Sequence, residues 1–235
     1  MKILTFNIWK NEGDFPERLN IIRLELQAMD ADIICLQEVY RDSLLDALEV
    51  IVPKELQTKF YAPARAKIRA GKMSYSGLAI LSKYSTIYHD MFDLPTSDND
   101  GGRVALMADI ATPYGILRIL NLHLSHLSGA EGDALRKAQM NFGLERALKN
   151  WSDEALICGD FNERMPAPFF EGFDNQMSGQ IMGDQSSLRN SPNALIDHIV
   201  LLNCSRLHLS HCEVGFDKIV GMSDHFGVLG YVQTR

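Results

Sequence analysis

The sequence predicts an α/β fold, and three observations lead there. Apolar runs of strand length recur, among them Ile33-Ile34-Cys35-Leu36 and Ala155-Leu156-Ile157-Cys158; such runs suit strands inside a sheet. Between some of them lie segments with helical spacing, such as Leu19, Ile22, Leu26 and Met29, which offer one apolar stripe to the sheet. Most of the expected strands then end in a polar side chain, the pattern of a scaffold whose strand ends converge on one cleft. A length of 235 residues fits one large domain, residues 1–235, without a linker.

Taken in order, Met1-Lys2-Ile3-Leu4-Thr5-Phe6 alternates and turns polar at Asn7, which reads as a first strand and lacks the apolar core of a signal peptide. Asp14-Phe15-Pro16-Glu17 resembles a helix start, with Pro tolerated in the first turn. The next strand, 33–36, empties into Gln37-Glu38. Glu38 is either a second cleft residue beside Asn7 or a cap for a helix over 43–51 that Pro53 closes. A short strand at 59–64 precedes the dense basic stretch 65–72, which is a solvated loop or a local guide for phosphate. Strands follow at 76–82 and 86–92, then a flexible loop, Asp98-Asn99-Asp100-Gly101-Gly102, leading to Arg103. Residues 104–111 and 116–124 read as a hairpin around Pro113-Tyr114-Gly115, and alternation puts Asn121 and His123 on one face.

The longest helix is expected over 129–151, with a structural job. After the strand 155–158, Gly159 is expected to turn the backbone sharply and carry Asp160 and Asn162 past the strand end. A carboxylate and an amide placed there suit a water aimed at an electrophile, although Gly-Asp-x-Asn is also ordinary turn chemistry. Residues 166–193 read as surface loops. In the β-branched run 195–202, Asp197 needs a partner, because burying an unpaired carboxylate is costly. A strand at 207–216 is followed by Ser223-Asp224-His225, which feeds a last strand.

Charge and composition narrow the function. Lys and Arg number 23 against 30 Asp and Glu, a net charge of −7, so the whole-protein field disfavours indiscriminate binding to long duplex. Asn7, Glu38, Arg103, Asn121, His123, Asp160, Asn162, Asp197, Asp224 and His225 supply acids, amides and imidazoles without cysteine. That set suits a hard cation, Mg²⁺ or Mn²⁺, more than zinc. Such a cation would neutralise a phosphate and polarise it, and Arg103 would add a charge-assisted hydrogen bond. Cys35, Cys158, Cys204 and Cys212 have no C-x-x-C spacing, which points to reduced thiols in a cytoplasmic protein. No apolar run reaches spanning length, so stable membrane insertion is not expected. A monomer is the expected state.

Thr5-Phe6-Asn7-Ile8, Leu36-Gln37-Glu38, Asn121-Leu122-His123-Leu124, Gly159-Asp160-Phe161-Asn162, Ile196-Asp197-His198-Ile199 and Ser223-Asp224-His225 resemble, in order, the motifs of the endonuclease/exonuclease/phosphatase superfamily, the group of deoxyribonuclease I and exonuclease III. The resemblance implies a four-layer αββα sandwich, two mixed β-sheets face to face with helices outside, and a site at one sheet edge. It implies Glu38 as principal metal ligand, Asn7 as neighbouring ligand or phosphate contact, and Asp224 completing the metal side. Asp160 would align and deprotonate the water, with Asn162 holding phosphate or water. His225, paired with Asp197, would bind a phosphate oxygen or accept the proton, and His123 would serve the transition state or the leaving oxygen.

Two positions depart from the pattern. Trp9 stands where some repair nucleases of the family carry an acid, and Leu195-Ile196-Asp197 lacks the arginine common before the late aspartate. Thr5-Phe6-Asn7-Ile8-Trp9 and His123-Leu124-Ser125 are more similar to the tyrosyl-DNA phosphodiesterase and sphingomyelinase-like branches. The expected function is a Mg²⁺- or Mn²⁺-dependent phosphodiesterase acting on a phosphoester substrate, nucleic-acid ends such as those of DNA. The alternatives are a sphingomyelinase-like enzyme or small-molecule phosphatase, and a catalytically silent binding protein.

Overall fold

The computed structural model describes residues 1–53, 55–69, 71–183 and 185–235; of the basic stretch 65–72, Ala70 and the Arg69 side chain lie outside the described residues. Along the chain run β1 (Lys2–Asn7), α1 (Arg18–Met29), β2 (Ile33–Asp42), α2 (Ala47–Ile51), β3 (Thr58–Ala62), β4 (Lys67–Arg69) and β5 (Lys72–Ser82). There follow β6 (Thr86–Asp93), β7 (Val104–Thr112), β8 (Gly115–His123), α3 (Gly129–Leu148) and β9 (Ala155–Asp160). The last part holds a 3₁₀ turn (Ala167–Phe170), β10 (Asn175–Met177), α4 (Ser178–Met182), β11 (Asp197–Leu202), β12 (Leu207–Gly215) and β13 (Gly227–Thr234).

Among the described residues these strands form two mixed sheets. One has the order β12-β13-β1-β2-β5-β3 with β4 also on β5, the other β10-β11-β9-β8-β7-β6. Each holds one parallel pair, β1 with β2 and β8 with β9. Alternation along the strands sorts the core into layers. Ile3, Ile33, Cys35 and Ile80 meet Leu106, Ile119, Leu156 and Ile199 between the sheets. Leu4, Phe6, Ile34 and Leu36 face outward to Leu19, Ile22 and Leu26 of α1. Leu120, Leu122 and Ile157 face the other way, to Met140 and Leu144 of α3. The result is the αββα sandwich, and the expected two mixed sheets with outer helices are what the chain forms.

Several local expectations change. The basic stretch is no free loop: β4 pairs with β5 as a hairpin. The helix expected over 43–51 shrinks to α2, because the Asp42 carboxylate accepts hydrogen bonds from the Leu44 and Leu45 amides and Asp46 caps Leu48. Glu38 caps neither. Pro16 precedes α1 rather than lying in its first turn. Residues 166–193 hold the 3₁₀ turn, β10 and α4, elements too short to leave a period in the sequence. Gly159 does not end β9, which continues through Asp160. Its glycine serves close approach instead: at φ +139°, a Cβ there would lie 1.9 Å from the Leu122 carbonyl oxygen of β8. No helix of the described residues is long and apolar enough to cross a membrane.

Candidate active site

The two parallel pairs aim their strand ends at one rim. Asn7 lies beside Gln37 at the end of β1, and His123 beside Asp160 at the ends of β8 and β9. β11 runs antiparallel to β9, so Asp197 begins opposite Asp160. The triplet 223–225 enters the same place just before β13. Ser223 fixes it there: its hydroxyl donates to the Asn7 carbonyl at 2.7 Å and accepts from the His225 amide at 3.1 Å.

Asp160, 2% exposed, is the point of convergence. The Asn7 amide donates to its Oδ2 at 3.0 Å, and the Asn162 backbone N–H donates to Oδ1 at 3.0 Å. His123 Nε2 and His225 Nε2 stand 3.5 and 3.8 Å from Oδ2. His225 Nδ1 bonds Asp197 Oδ2 at 2.8 Å, which gives Asp197 the partner its burial requires. Asp197 Oδ1 is buried with no hydrogen-bond partner among the described residues. Asn162 adopts φ +50°, and its side-chain amide donates to the Leu124 carbonyl at 3.1 Å. These bonds aim its backbone N–H at Asp160.

The electrostatics separate the three titrating groups. Burial, then the neighbouring Asp197, pushes the Asp160 carboxyl up to about 7, against the pull of His225 and Asn7. Burial opposes charge on His225 too, but Asp197, then Asp160 and Asp224, outweigh it and hold the imidazole at about 10. His123 is held well below the ordinary imidazole range by burial, then by Arg103 and Arg65. At neutral pH the arrangement is a neutral imidazole and an imidazolium, both near Oδ2 of a carboxyl poised to take or release a proton.

Glu38 forms the other half of the rim. A β-bulge between Leu36 and Val39 puts it at φ +54°, which re-aims its carboxylate. That carboxylate has Arg65 Nη1 at 3.7 Å and Lys10 Nζ at 3.9 Å. Asp224 is half-buried, with its Oδ1 3.4 Å from the Ser223 hydroxyl. Asp224 and Glu38 both favour charge on Arg18, whose pKa burial lowers to about 10. Arg18 itself donates to the carbonyls of Ile8, Trp9, Lys10, Glu12 and Met222. It therefore fixes the loop that carries Lys10 and ties it to the 223–225 triplet.

Two expected substrate contacts lie elsewhere. Asn121 is fully buried between the sheets: its amide donates to the Leu36 and Ala79 carbonyls and its oxygen accepts from Gln37 Nε2 at 2.8 Å. It does share a face with His123, but both its amide donors are committed and at 0% exposure it is out of a ligand's reach. Arg103 is 2% exposed and spends its donors on Asp100, the His123 carbonyl and His126. It sits behind His123 as a buried support. Arg18, Gln37 and Ser223 are the residues that sequence reasoning passed over. Gln37 and Ser223 lie inside quoted motifs, while Arg18 sits in a helix and carries no local signal.

The donor set fits a hard cation. Ligand atoms of Asp160, Asp197 and His225 lie within 4.8 Å of one another, and Asp197 Oδ1 is an orphaned acceptor. The imidazolium already neutralises that group, whereas among the described residues Glu38 is met only by Lys10 and Arg65, both beyond hydrogen-bond distance. Oxygen donors of this kind suit Mg²⁺ or Mn²⁺.

A family model described as the Endonuclease/Exonuclease/phosphatase family matches residues 4–225. Among solved structures, an endonuclease/exonuclease/phosphatase from Beutenbergia cavernae is similar over 100% of this chain and 71% of its own, at TM-score 0.80 and 16% identity. The human Nocturnin catalytic domain, solved with a bound sulfate anion, is similar over 100% of this chain and 93% of its own, at TM-score 0.79 and 18% identity. A mannosyl-6-phosphatase from Bacteroides thetaiotaomicron is similar over 99% of each chain, at TM-score 0.73 and 16% identity. At such identities the likeness shows the fold. No curated protein matches the sequence.

Proposed function

The chain belongs to the endonuclease/exonuclease/phosphatase family, and from that membership we propose that it is a Mg²⁺- or Mn²⁺-dependent phosphodiesterase in which Asp160 activates the attacking water. Family members hydrolyse phosphoesters and generally use a divalent metal. Glu38, with Asn7 and Asp224, would hold the cation, which when bound supplies positive charge to the phosphoryl group. Asp160 takes the proton of the water: its carboxyl at about 7 is matched to that task near neutral pH. Asn7 and the Asn162 N–H fix the carboxylate, and the Asn162 side chain faces phosphate or water. The His225 imidazolium, oriented by Asp197, donates from Nε2 to a phosphate oxygen. His123, neutral, serves the leaving oxygen.

The observation that carries this reading is the convergence of Asn7, His123, Asn162 and His225 on one buried carboxylate. Nucleic-acid ends are the proposed substrate, supported by Arg65, 3.7 Å from Glu38 and just ahead of the hairpin that carries Lys67 and Lys72. The net charge of −7 favours a second reading, a small phosphate ester, since a small anion needs only local compensation. Four buried free thiols suit a cytoplasmic monomer. The test is turnover of bis(p-nitrophenyl) phosphate with Mg²⁺, Mn²⁺ or EDTA. Metal-dependent hydrolysis that falls at least ~100-fold in Glu38→Gln is expected, a loss on the scale of one electrostatic stabiliser. No turnover of this ester, abasic DNA, 5′-tyrosyl DNA, sphingomyelin, inositol phosphates or sugar phosphates in any metal would sink the proposal.

A further inference from the structure

Arg65 and Lys10 are not used by the chemistry proposed above, yet both are built into the rim. Arg65 has its side chain 15% exposed, and its nearest carboxylate, Glu38, is 3.7 Å away. Among the described residues no group accepts a hydrogen bond from its guanidinium, a costly arrangement for a five-donor fork that binds carboxylate and phosphate bidentately. Lys10 stands 3.9 Å from Glu38 and 3.9 Å from the exposed Glu12. Two cations therefore crowd one buried carboxylate, neither within hydrogen-bond distance of it.

The backbone points the same way. Only a few positive-φ residues of the described chain are neither Gly, Asn nor Asp, and they include Trp9, Lys10, Glu38 and Arg65, at φ +60°, +32°, +54° and +48°. Such conformations are disfavoured for these residue types and gather at ligand sites. Arg65 is held in place by its backbone N–H, which donates a hydrogen bond to the Gly102 carbonyl at 3.2 Å. Lys10 is held by Arg18, which binds its carbonyl. Between the two cations a narrow pit is lined by Tyr40, Ser74, Tyr75 and Ser76, and the Ser76 hydroxyl is buried without a partner among the described residues. The pit has room for about one water, and its Tyr40 and Ser74 hydroxyls already donate to Asp42 and to the Lys67 carbonyl; an anion would therefore sit at its mouth, against the two cations.

We propose that Lys10 and Arg65 form a second anion subsite beside Glu38, so that the substrate is a phosphoester bearing a further phosphate group. The inference rests on the phosphodiesterase reading and narrows its substrate class. The scissile phosphate is served by His225 and Asn162, residues distinct from the two cations. A terminal phosphomonoester and an internucleotide diester share this chemistry.

The test uses thymidine 5′-(p-nitrophenyl phosphate), the same ester with a 3′-phosphate, and the same ester extended at 3′ by one nucleotide through a diester. Wild-type kcat/KM should favour a doubly anionic substrate about 10- to 100-fold, the scale of a charge-assisted hydrogen bond or pair of them. Arg65→Ala should erase that ratio, and Arg65→Lys should restore part of it. Preference for the 3′-phosphate assigns the subsite to a monoester; preference for the extended ester assigns it to a strand. Equal rates on all three in wild type, or a uniform loss in Arg65→Ala, overturns the proposal. If wild type turns over none of them, hydrolysis of bis(p-nitrophenyl) phosphate and the other esters named above judges the phosphodiesterase reading separately. Calorimetric titration of the metal-free protein with inorganic pyrophosphate then decides the subsite alone: binding weakened at least ~10-fold in Arg65→Ala supports it, and equal or absent binding in both removes it.

Discussion

Replacing Asp160 with Asn should move activity and stability in opposite directions. The folded chain holds this carboxyl at about 7 against an ordinary 3.8. Each tenfold displacement costs about 1.4 kcal/mol, so ionised Asp160 costs the fold roughly 4 kcal/mol. Because the folded state keeps its proton to higher pH than the unfolded chain, stability falls as pH rises from about 3.8 to about 7 and stays low above that. An amide removes this penalty. It also sets a second N–H opposite the Asn7 amide, which cannot flip freely because its oxygen accepts from the Trp9 N–H at 3.0 Å; a conflict of that kind costs about 1–3 kcal/mol. The net expectation for Asp160→Asn is a gain of about 1–3 kcal/mol at pH 8 that reverses to a loss of about 1–2 kcal/mol by pH 4, where the ionisation penalty is nearly gone and the amide conflict remains. Turnover should drop by about 10²- to 10⁴-fold, the contribution of a positioned base. Urea denaturation in EDTA at pH 4, 6 and 8, beside metal-dependent hydrolysis of the generic diester, measures both. A variant less stable than wild type at pH 8, or one retaining a tenth of the rate, refutes the reasoning.

Other outcomes follow from the same geometry. Gly159→Ala should cost about 3–5 kcal/mol or prevent folding, since the new methyl meets the Leu122 carbonyl at 1.9 Å and the backbone must leave a glycine conformation; a denaturation midpoint near wild type would show that β8 and β9 are not so close. Asn121→Leu should cost about 2–4 kcal/mol by leaving buried carbonyls and an amide unpaired, and thermal unfolding that is unchanged would contradict its bridging place. For Glu154, burial opposes ionisation but Arg206, the Arg206 backbone N–H and Ser205 hold it down at about 2 against an ordinary 4.5. A depressed carboxyl stabilises the fold above about 4.5 and loses that contribution as pH falls toward about 2. Arg206 is half-exposed, which limits the effect to about 1–2 kcal/mol. Wild type should therefore lose that much more than Glu154→Gln between pH 7 and pH 3 in urea titrations.

Much of this was readable in the sequence, for a physical reason. A buried strand must be apolar, so polar residues at its end stand out, and Asn7, Glu38, His123, Asp160 and Asp197 were all found that way. Local patterns could not reveal which way a polar side chain faces once the sheets stack. Asn121 and His123 share a face of β8, yet only His123 reaches the rim; Asn121, two residues earlier, is under the opposite sheet. Arg103 looked like a free cation because its partner Asp100 sat in what reads as a polar loop. Gly159 carried a turn signal, and only the parallel neighbour β8 explains its need for a bare backbone. The elements within 166–193 are each a turn or two of chain, too brief for periodicity to register.

The rim divides between the sheets, and that division explains the polar residues buried beneath it. Asn7 and Glu38 come from the sheet of β1 and β2, with His225 at the head of β13; His123, Asp160, Asn162 and Asp197 come from or follow strands of the other. Neither sheet alone holds a working set. Their relative position at the rim is fixed by hydrogen bonds that cross the sandwich: Asn7 to Asp160, His225 to Asp197, Gln37 to Asn121, and Asn121 to the Leu36 and Ala79 carbonyls. Apolar packing tolerates small sliding of one sheet over another, whereas these bonds fail beyond a few tenths of an ångström. Buried polar contacts that bridge the sheets therefore supply register here that the hydrophobic layer cannot. Asn121 belongs to the site in this sense, as the residue that holds the two halves of the cleft at one spacing.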